Sequence, residues 1–263
     1  MKQTILTKKQ QAIVTLIPRF RFLDRTHIQS FMHHKEKQRI NKWLKVLTTE
    51  GYLRRIYEDT IIGKNRRPAL FSLDTHGIRL VNNLGIYDSS FLRKFYFEKE
   101  RSETFIQHCL LLATICCGLE KKNSEIVQYE YATQSDLSAI ENPFRILKQA
   151  EVSLDLVFSK KEKRKKIKYF LLTLIDRTLP KYRIRNRIRQ FQTYYFSNEW
   201  ENSADTRFPT LLIVCETKAQ MIYTKRYMKQ LFQDSLPKDL SFHFSTAQEV
   251  MDQGVTGAIW ETI

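Results

Sequence analysis

Glycine and proline are scarce in this sequence, which has seven glycines and six prolines among 263 residues. The glycines are scattered, so the chain has no glycine loop of the kind that cradles phosphates. A Ser-His-Asp signature and a dinucleotide-cofactor motif are also lacking. The common enzyme classes therefore have little support, and we expect a protein that is not an enzyme and has no cofactor.

The sequence also lacks a disulfide framework, a metal-ligand pattern and a long apolar run. Its four cysteines, Cys109, Cys116, Cys117 and Cys215, do not have the spacing of either kind of site. His33 and His34 are adjacent, with no cysteine or carboxylate nearby at ligand spacing, so we expect no metal. The longest apolar run, residues 109–117, is far shorter than the roughly 20 residues that span a bilayer. We expect a cytoplasmic protein without a signal segment.

Positive charge is abundant. Lysine and arginine number 44 against 28 aspartates and glutamates, giving a net charge of +16 and an isoelectric point near 9.7. Such an imbalance favours a polyanionic partner, above all nucleic acid. The length and the hydrophobic content of 42% are sufficient for two domains with buried cores.

Residues 7–80 predict three short helices followed by a hairpin, the outline of a winged helix-turn-helix. Thr7 with Gln10 forms a capping-box pattern, Asp24 is placed to open a second helix over residues 25–34, and Gly51 ends the third. Strands are predicted at 52–57 and 70–73, and Asp74 is placed to cap a further helix.

The third helix has two distinct faces. Ile40, Trp43, Leu44 and Leu47 recur at helical spacing and predict a packed stripe. The free side and the hairpin loop carry groups that bind base edges and phosphates in double-stranded DNA. The predicted DNA-binding residues are Lys35, Gln38, Asn41, Lys42, Lys45, Thr49, Lys64, Asn65, Arg66 and Arg67.

The second half of the chain alternates strands and helices. A hairpin of strands 152–158 and 167–175 is joined by a basic loop at 160–166. A helix follows, with Ile184, Ile188, Phe191 and Tyr195 on its buried face, and then a strand, a helix and a last strand at 210–216, 218–232 and 241–245. Residues 90–120 look helical, with an apolar face that includes Phe105, Leu112 and Ile115, so docking or a homodimer is an alternative to a free linker.

In the order of its short motifs the chain resembles the replication-relaxation family of plasmids and integrative conjugative elements. The matching stretches are LFSLDTHG at 70–77, IQHCL at 106–110, VSLDLVF at 152–158, LIDRT at 174–178 and FPTLLIVCET at 208–217. The resemblance implies an α+β protein in which an N-terminal winged helix-turn-helix precedes an α/β domain similar to restriction endonucleases. The predicted divisions are a DNA-binding domain at 1–88, a bridging helix at 89–120 and a nuclease-like domain at 121–263.

The nuclease-like pattern is incomplete in this chain. Asp155 is placed to be its first acidic residue, but Leu174 stands where the family motif has glutamate, and leucine cannot bind a metal. Asp176 remains on the same strand, without a following lysine. We interpret Asp155 and Asp176 as degenerate remnants, held by neighbouring arginines, with no catalytic role.

A second basic surface is an alternative site of DNA or protein contact in this half. Its candidate residues are Lys163, Arg164, Lys165, Lys166, Arg183 and Arg187.

Three functions compete. The resemblance implies an accessory DNA-binding protein of a mobile element, which acts at a transfer or replication origin and recruits a relaxase or a replication initiator. The alternatives are a winged-helix transcriptional regulator with a C-terminal dimerisation or sensing domain, and a metal-dependent nuclease.

Overall fold

The computed structural model describes residues 6–56, 68–141, 144, 147, 152–204, 206–232, 237 and 239–263. The chain has a mixed α/β architecture and divides into two compact units. Unit 1 comprises residues 1–117 and 138–141, and unit 2 comprises residues 118–137 and 142–263. The predicted hairpin loop at Lys64, Asn65, Arg66 and Arg67 lies outside the described residues.

Unit 1 begins with three helices interleaved with a small sheet. Its elements are α1 (Lys8–Phe20), β1 (Leu23–Asp24), α2 (Arg25–Phe31), α3 (Lys37–Thr49), β2 (Leu53–Ile56), β3 (Leu70–Leu73), α4 (Thr75–Asn83), α5 (Ser89–Arg93), the 3-10 helix η1 (Lys94–Glu100) and α6 (Glu103–Lys122). The three strands are antiparallel and lie in the order β1-β3-β2. Helix α6 runs across the residue at which the two units divide.

The ends of these helices follow from local chemistry, as predicted. Thr7 and Gln10 form the capping box of α1, and the Asp24 carboxylate accepts a hydrogen bond of 2.8 Å from the His27 amide at the start of α2. Gly51 follows α3 with a φ of +69°, a conformation that glycine adopts without strain. Helix α2 ends at Phe31, three residues earlier than predicted for its end at His34.

The packed stripe of α3 is confirmed for Ile40, Leu44 and Leu47, which are all buried. Trp43 differs from the prediction because it is only half-buried. Its ring meets the edge of His34, with 5.2 Å between centroids, and the Arg39 guanidinium lies 5.9 Å from its centroid. The indole therefore lies at the margin of the core, where a cation and an imidazole cover it.

The segment predicted as one helix from 90 to 120 is broken in the structure. Helix α5 and η1 end at Glu100, and α6 begins at Glu103. The break brings the buried Glu98 carboxylate to the Arg21 guanidinium, whose Nε donates at 2.8 Å. Among the described residues no single helix is long and apolar enough to cross a membrane, and only the bent pair 89–100 and 103–122, at 120°, reaches that length and composition.

Unit 2 is built on a six-stranded mixed sheet. Its elements are β4 (Val127–Thr133), α7 (Gln134–Leu137), β5 (Leu156–Glu162), β6 (Lys168–Ile175), α8 (Lys181–Phe196), α9 (Glu199–Ala204), β7 (Thr210–Cys215), α10 (Lys218–Leu231), β8 (Phe242–Thr246), α11 (Ala247–Gln253) and β9 (Glu261–Thr262). The order is β4-β5-β6-β7-β8-β9, antiparallel from β4 to β6, parallel from β6 to β8, and antiparallel again at β9.

Two features of this sheet differ from the sequence prediction. Strand β4 was not predicted, and the hairpin strand β5 continues to Glu162, so Lys160 and Lys161 belong to a strand rather than to a loop. The buried helix face is confirmed for Ile184, Ile188 and Phe191. At its end Tyr194 is the buried residue, whereas Tyr195 is half-buried and donates from its hydroxyl to Asp239 Oδ1 at 2.7 Å.

Candidate nucleic-acid interface

The outer face of α3 carries the polar residues that the sequence predicted there. All six candidate side chains are exposed: Lys35, Gln38, Asn41, Lys42, Lys45 and Thr49. Five of them lie within the helix at positions 38, 41, 42, 45 and 49, which follow helical spacing and form one stripe. The stripe extends over about 16 Å, from the rise of 1.5 Å per residue.

This helix contains cations but no carboxylate between Lys37 and Thr49. Within the described part of the chain, the side chains of Lys42, Lys45, Gln38 and Asn41 form no hydrogen bond or ion pair. Their charges and amide groups are therefore available to a partner. Lys37, the exposed first residue of α3, was not among the predicted residues, although it lies beside Gln38 on the exposed surface.

Side-chain hydrogen bonds connect α2 to the residues just before α3. Arg25 Nη1 donates to Gln29 Oε1 at 2.7 Å, and Gln29 Nε2 donates to the Lys35 carbonyl at 3.2 Å. The Glu36 amide donates to His34 Nδ1 at 3.1 Å. Together with the buried stripe of α3, these bonds set the direction in which the outer face points.

The hairpin beside α3 is described only at its base. Strand β2 pairs with β3 from Leu53 opposite Leu73 to Ile56 opposite Leu70. Arg54 Nη2 lies 3.1 Å from Asp74 Oδ1, so one cation of β2 is paired. The placement of the predicted loop contacts stays a prediction.

Asp155 lies in a buried polar site at the end of the β5-β6 hairpin. Its Oδ2 accepts a hydrogen bond of 2.7 Å from the Leu174 amide and lies 3.6 Å from Arg187 Nη1. The same Arg187 Nη1 donates to the Leu174 carbonyl at 2.8 Å and to Thr173 Oγ1 at 3.0 Å. A carboxylate and a guanidinium thus tie helix α8 to strand β6, and this oxygen of Asp155 is already engaged.

Asp176 occupies a different environment from Asp155. Its Oδ1 accepts hydrogen bonds from the amide and the hydroxyl of Thr178, at 2.9 Å and 2.5 Å, in the exposed turn after β6. The Leu174 side chain is buried. Across the described ranges no three or more His, Cys, Asp or Glu residues are grouped to hold a metal ion. These contacts make Asp155 and Asp176 structural groups in this conformation.

The cysteines lie in buried surroundings. All four are buried, and none forms a disulfide. Burial raises the pKa of the Cys215 thiol to about 12, and contacts with Thr224 and Lys225 oppose this only in part. A thiol with such a pKa stays protonated at neutral pH and is a poor nucleophile.

The candidates for a second basic surface are not brought together. Lys163, Arg164, Lys165 and Lys166 lie at the tip of the β5-β6 hairpin, whereas Arg187 binds at its opposite end, at Leu174. Strand β6 rises by roughly 20 Å between Lys168 and Leu174, at about 3.3 Å per residue. These residues therefore do not form one compact cluster, and a surface that joins them stays a prediction.

Local pairing further reduces the free charge at the hairpin tip. Glu162 pairs with Lys165 and with Lys160, whose Nζ lies 2.6 Å from Glu162 Oε1. The hydrogen bonds from Lys160 and Lys165 lower the pKa of Glu162 to about 2. Arg183 is exposed on α8, where its Nε donates to the Tyr182 hydroxyl at 3.3 Å.

Comparisons with known proteins give few similarities. No family model matches the chain, and a search of curated proteins finds no match. Among solved structures, one similar chain is described as the structure of Lactococcus lactis ZitR, C30AH42A mutant, with 16% sequence identity and a TM-score of 0.26. The alignment covers 38% of this chain and 62% of that one, so this chain spans less than two thirds of the length of its neighbour. A similarity of this size supports no argument about function.

Proposed function

We propose that this chain is a sequence-specific double-stranded DNA-binding protein that places α3 in the major groove. The observation that carries the proposal is the outer face of α3, where exposed amide groups and lysines lack partners among the described residues and the helix itself contains no carboxylate from Lys37 to Thr49. Amides such as those of Gln38 and Asn41 bind adenine edges, and lysines neutralise phosphates.

The arrangement of unit 1 supports a winged helix-turn-helix as its fold. Its elements follow the order helix, strand, helix, helix, strand, strand, with the sheet order β1-β3-β2. Helices α2 and α3 are joined by only residues 32–36. In helix-turn-helix proteins the second helix of such a pair enters the major groove. In this proposal Lys64 to Arg67, which lie outside the described residues, hold the DNA backbone.

The finer role that we propose is that of an accessory protein of a mobile element. It would bind at or near a transfer or replication origin and recruit a relaxase or a replication initiator, a role supported by the sequence resemblance alone. The order of unit 2, in which three antiparallel strands precede α8, the parallel β7 and α10, supports the proposal of a restriction-endonuclease-like core. We propose no nuclease activity for it, because Asp155 is engaged by Arg187 and the Leu174 amide.

The test begins with recovery of the DNA fragments that the purified protein binds in the presence of magnesium, followed by mapping of fragment ends. Enrichment of one intact site near an origin is the expected result. Enrichment at promoters would favour a transcriptional regulator, and new ends that disappear in Asp155→Asn would overturn the assignment of unit 2 as inactive.

The recovered site then allows a test of the reading face. Gln38→Ala and Asn41→Ala are each expected to relax the preference at one base pair by about 1 to 3 kcal/mol. Gln11→Ala, the same change at an exposed position of α1, is the matched control and should leave the preference intact. If both α3 variants discriminate among sequences as the parent does, the assigned face is wrong.

A further inference from the structure

Helices α8 and α10 of unit 2 form a pair without acidic residues. They contribute 16 and 14 residues, and neither contains an aspartate or a glutamate. Their cations are Lys181, Arg183, Arg185, Arg187, Arg189, Lys218, Lys225, Arg226 and Lys229. Most charged helix surfaces mix the two signs, so a pair of this size with one sign alone has an unusual positive potential.

Two of these cations are used within the unit. Arg187 is bound at Asp155, and Lys225 Nζ lies 2.5 Å from Glu261 Oε2. Successive cations of α8 lie two residues apart, so they point to different sides of the helix. Lys181, Arg185 and Arg189 follow one another at i, i+4 and i+8, are all exposed, and lie along one face, which we call the α8 row.

The tyrosines of α10 hold the centre of the α8 row in place. Arg185 Nε donates to the Tyr223 hydroxyl at 2.7 Å, and its guanidinium lies 5.4 Å from the Tyr227 ring centroid. Lys181 Nζ lies 5.3 Å from the Tyr223 centroid. The terminal Nη groups of Arg185 have no hydrogen bond to another described residue. A guanidinium oriented in this way loses less conformational freedom when it binds an anion.

We propose that the α8 row is a second DNA-contact surface, which binds the phosphate backbone of duplex DNA without reading its sequence. The three cations span about 12 Å along the helix, a length over which one strand of B-DNA carries three to four phosphates at its rise of 3.4 Å. The guanidinium fork matches phosphate geometry. A row of cations with no interspersed carboxylate suits the uniform charge of this backbone. The proposal does not depend on α3.

The test compares two triple variants of the full chain on a duplex of arbitrary sequence. Lys181→Gln, Arg185→Gln and Arg189→Gln are combined in one, and the exposed cations Lys121, Lys122 and Arg207, which lie outside α8 and α10, are changed to glutamine in the control. Affinity is measured as a function of salt. The α8-row variant should reduce the magnitude of the negative slope of log affinity against log salt by roughly 2 to 3, because each lost phosphate contact accounts for about 0.9.

A milder variant guards against a general loss of structure. Tyr223→Phe keeps the charge and the ring but removes the hydroxyl that orients Arg185, so a smaller loss of affinity in the same direction is expected. Equal slopes for the two triple variants would overturn the proposal, as would a loss confined to single-stranded DNA or to an acidic protein. Lys42→Gln, measured in parallel, tests the proposed role of α3 separately. A loss of DNA affinity in one variant and not in the other shows which of the two helices contacts DNA.

Discussion

Helices α3 and α8 have similar sequences in one respect, since each combines an apolar stripe with closely spaced cations. Their cations have different surroundings. Lys42 and Lys45 of α3 project into solvent without a partner among the described residues, whereas Arg187 of α8 lies against the buried Asp155. Residue type and spacing predict that a helix is basic, but the partner of each cation decides whether it serves binding or the fold.

The energetic consequences of the two environments differ accordingly. An exposed cation without a partner costs little, since water solvates it and surface pairs contribute only about 0 to 1 kcal/mol. Removal of the cation that pairs with a buried carboxylate leaves a negative charge that neither a partner nor water stabilises. Such a change lowers the stability of the folded protein. Mutations of α3 should therefore change DNA affinity without changing stability, and mutations at Asp155 should do the reverse.

The largest expected effect is the loss of stability in Arg187→Gln. The change leaves Asp155 without its guanidinium and removes the bonds from α8 to Thr173 and Leu174. We expect the free energy of unfolding to fall by about 3 kcal/mol, the lower end of the roughly 3 to 5 kcal/mol lost when one partner of a buried pair is removed. Urea denaturation measures this directly.

Lys42→Gln is the matched control, because it removes the same charge from an exposed position of α3. Its stability should stay within about 0.5 kcal/mol of the parent. Its affinity for every DNA sequence should fall, and the magnitude of its negative slope of log affinity against log salt should decrease by about 0.9. Equal stability losses in the two variants would show that the contrast between the helices is mistaken.

The parts of the fold that rest on local chemistry could be predicted from the sequence. Thr7, Asp24 and Gly51 mark helix ends because their side chains or backbone bind groups only a few residues away. The buried run of β7 and the apolar stripe of α3 follow from periodicity, which is also a local property.

The remaining features depend on contacts between distant residues. The partner of strand β4 is such a feature, because β4 pairs with β5, which is distant in the sequence. The alternation of half-buried and exposed residues in β4 is itself a local strand signal, and the prediction missed it. The break before α6 coincides with the contact between Glu98 and Arg21, 77 residues apart. An arginine partner was predicted for Asp155, but its identity as Arg187 was not. Every second residue of α8 from 181 to 189 is a cation, and the sequence does not say which one turns inward.

Unit 1 contains its own buried charges, and they sharpen the comparison with α3. Lys94 lies among Arg21, Glu98 and Arg101, and burial together with the charge of Arg21 lowers its pKa to about 8. Its Nζ also lies 3.5 Å from the centroid of the Phe91 ring. This lysine differs from Lys42 because its charged form is disfavoured by folding.

Lys94→Met is expected to stabilise the protein at pH 7 by about 1 kcal/mol, after allowance for partial exposure and for the lost attraction to Glu98. Between pH 8 and the ordinary lysine pKa of 10.5 the unfolded parent binds more protons than the folded one, so the stability of the parent rises with pH in this window. The stability difference between Lys94→Met and the parent should therefore disappear near pH 10.5.

The measurement for Lys94 is chemical denaturation at a series of pH values. Lys99→Met, at an exposed position of the same 3-10 helix, is the control and should show no such pH-dependent gain. A variant whose advantage is the same at pH 7 and at pH 10 would mean that the gain comes from apolar packing rather than from the removed charge.

The smallest expected effect concerns the start of α3. Glu36 is the N-cap residue there, and its side chain forms no hydrogen bond to the free amides of the helix. Helix α10, in contrast, begins with a capping box at Thr217. Glu36→Ser supplies a hydroxyl for a free amide, and the gain of about 1 kcal/mol is partly offset by the lost attraction between the carboxylate and the helix dipole. A net stabilisation of about 0.5 kcal/mol is expected.

Glu36→Gln removes the charge without a good cap and should be slightly destabilising. Because both variants remove a negative charge from the proposed DNA face, both should bind duplex DNA more tightly, and unchanged affinity in both would place the start of α3 away from the phosphates.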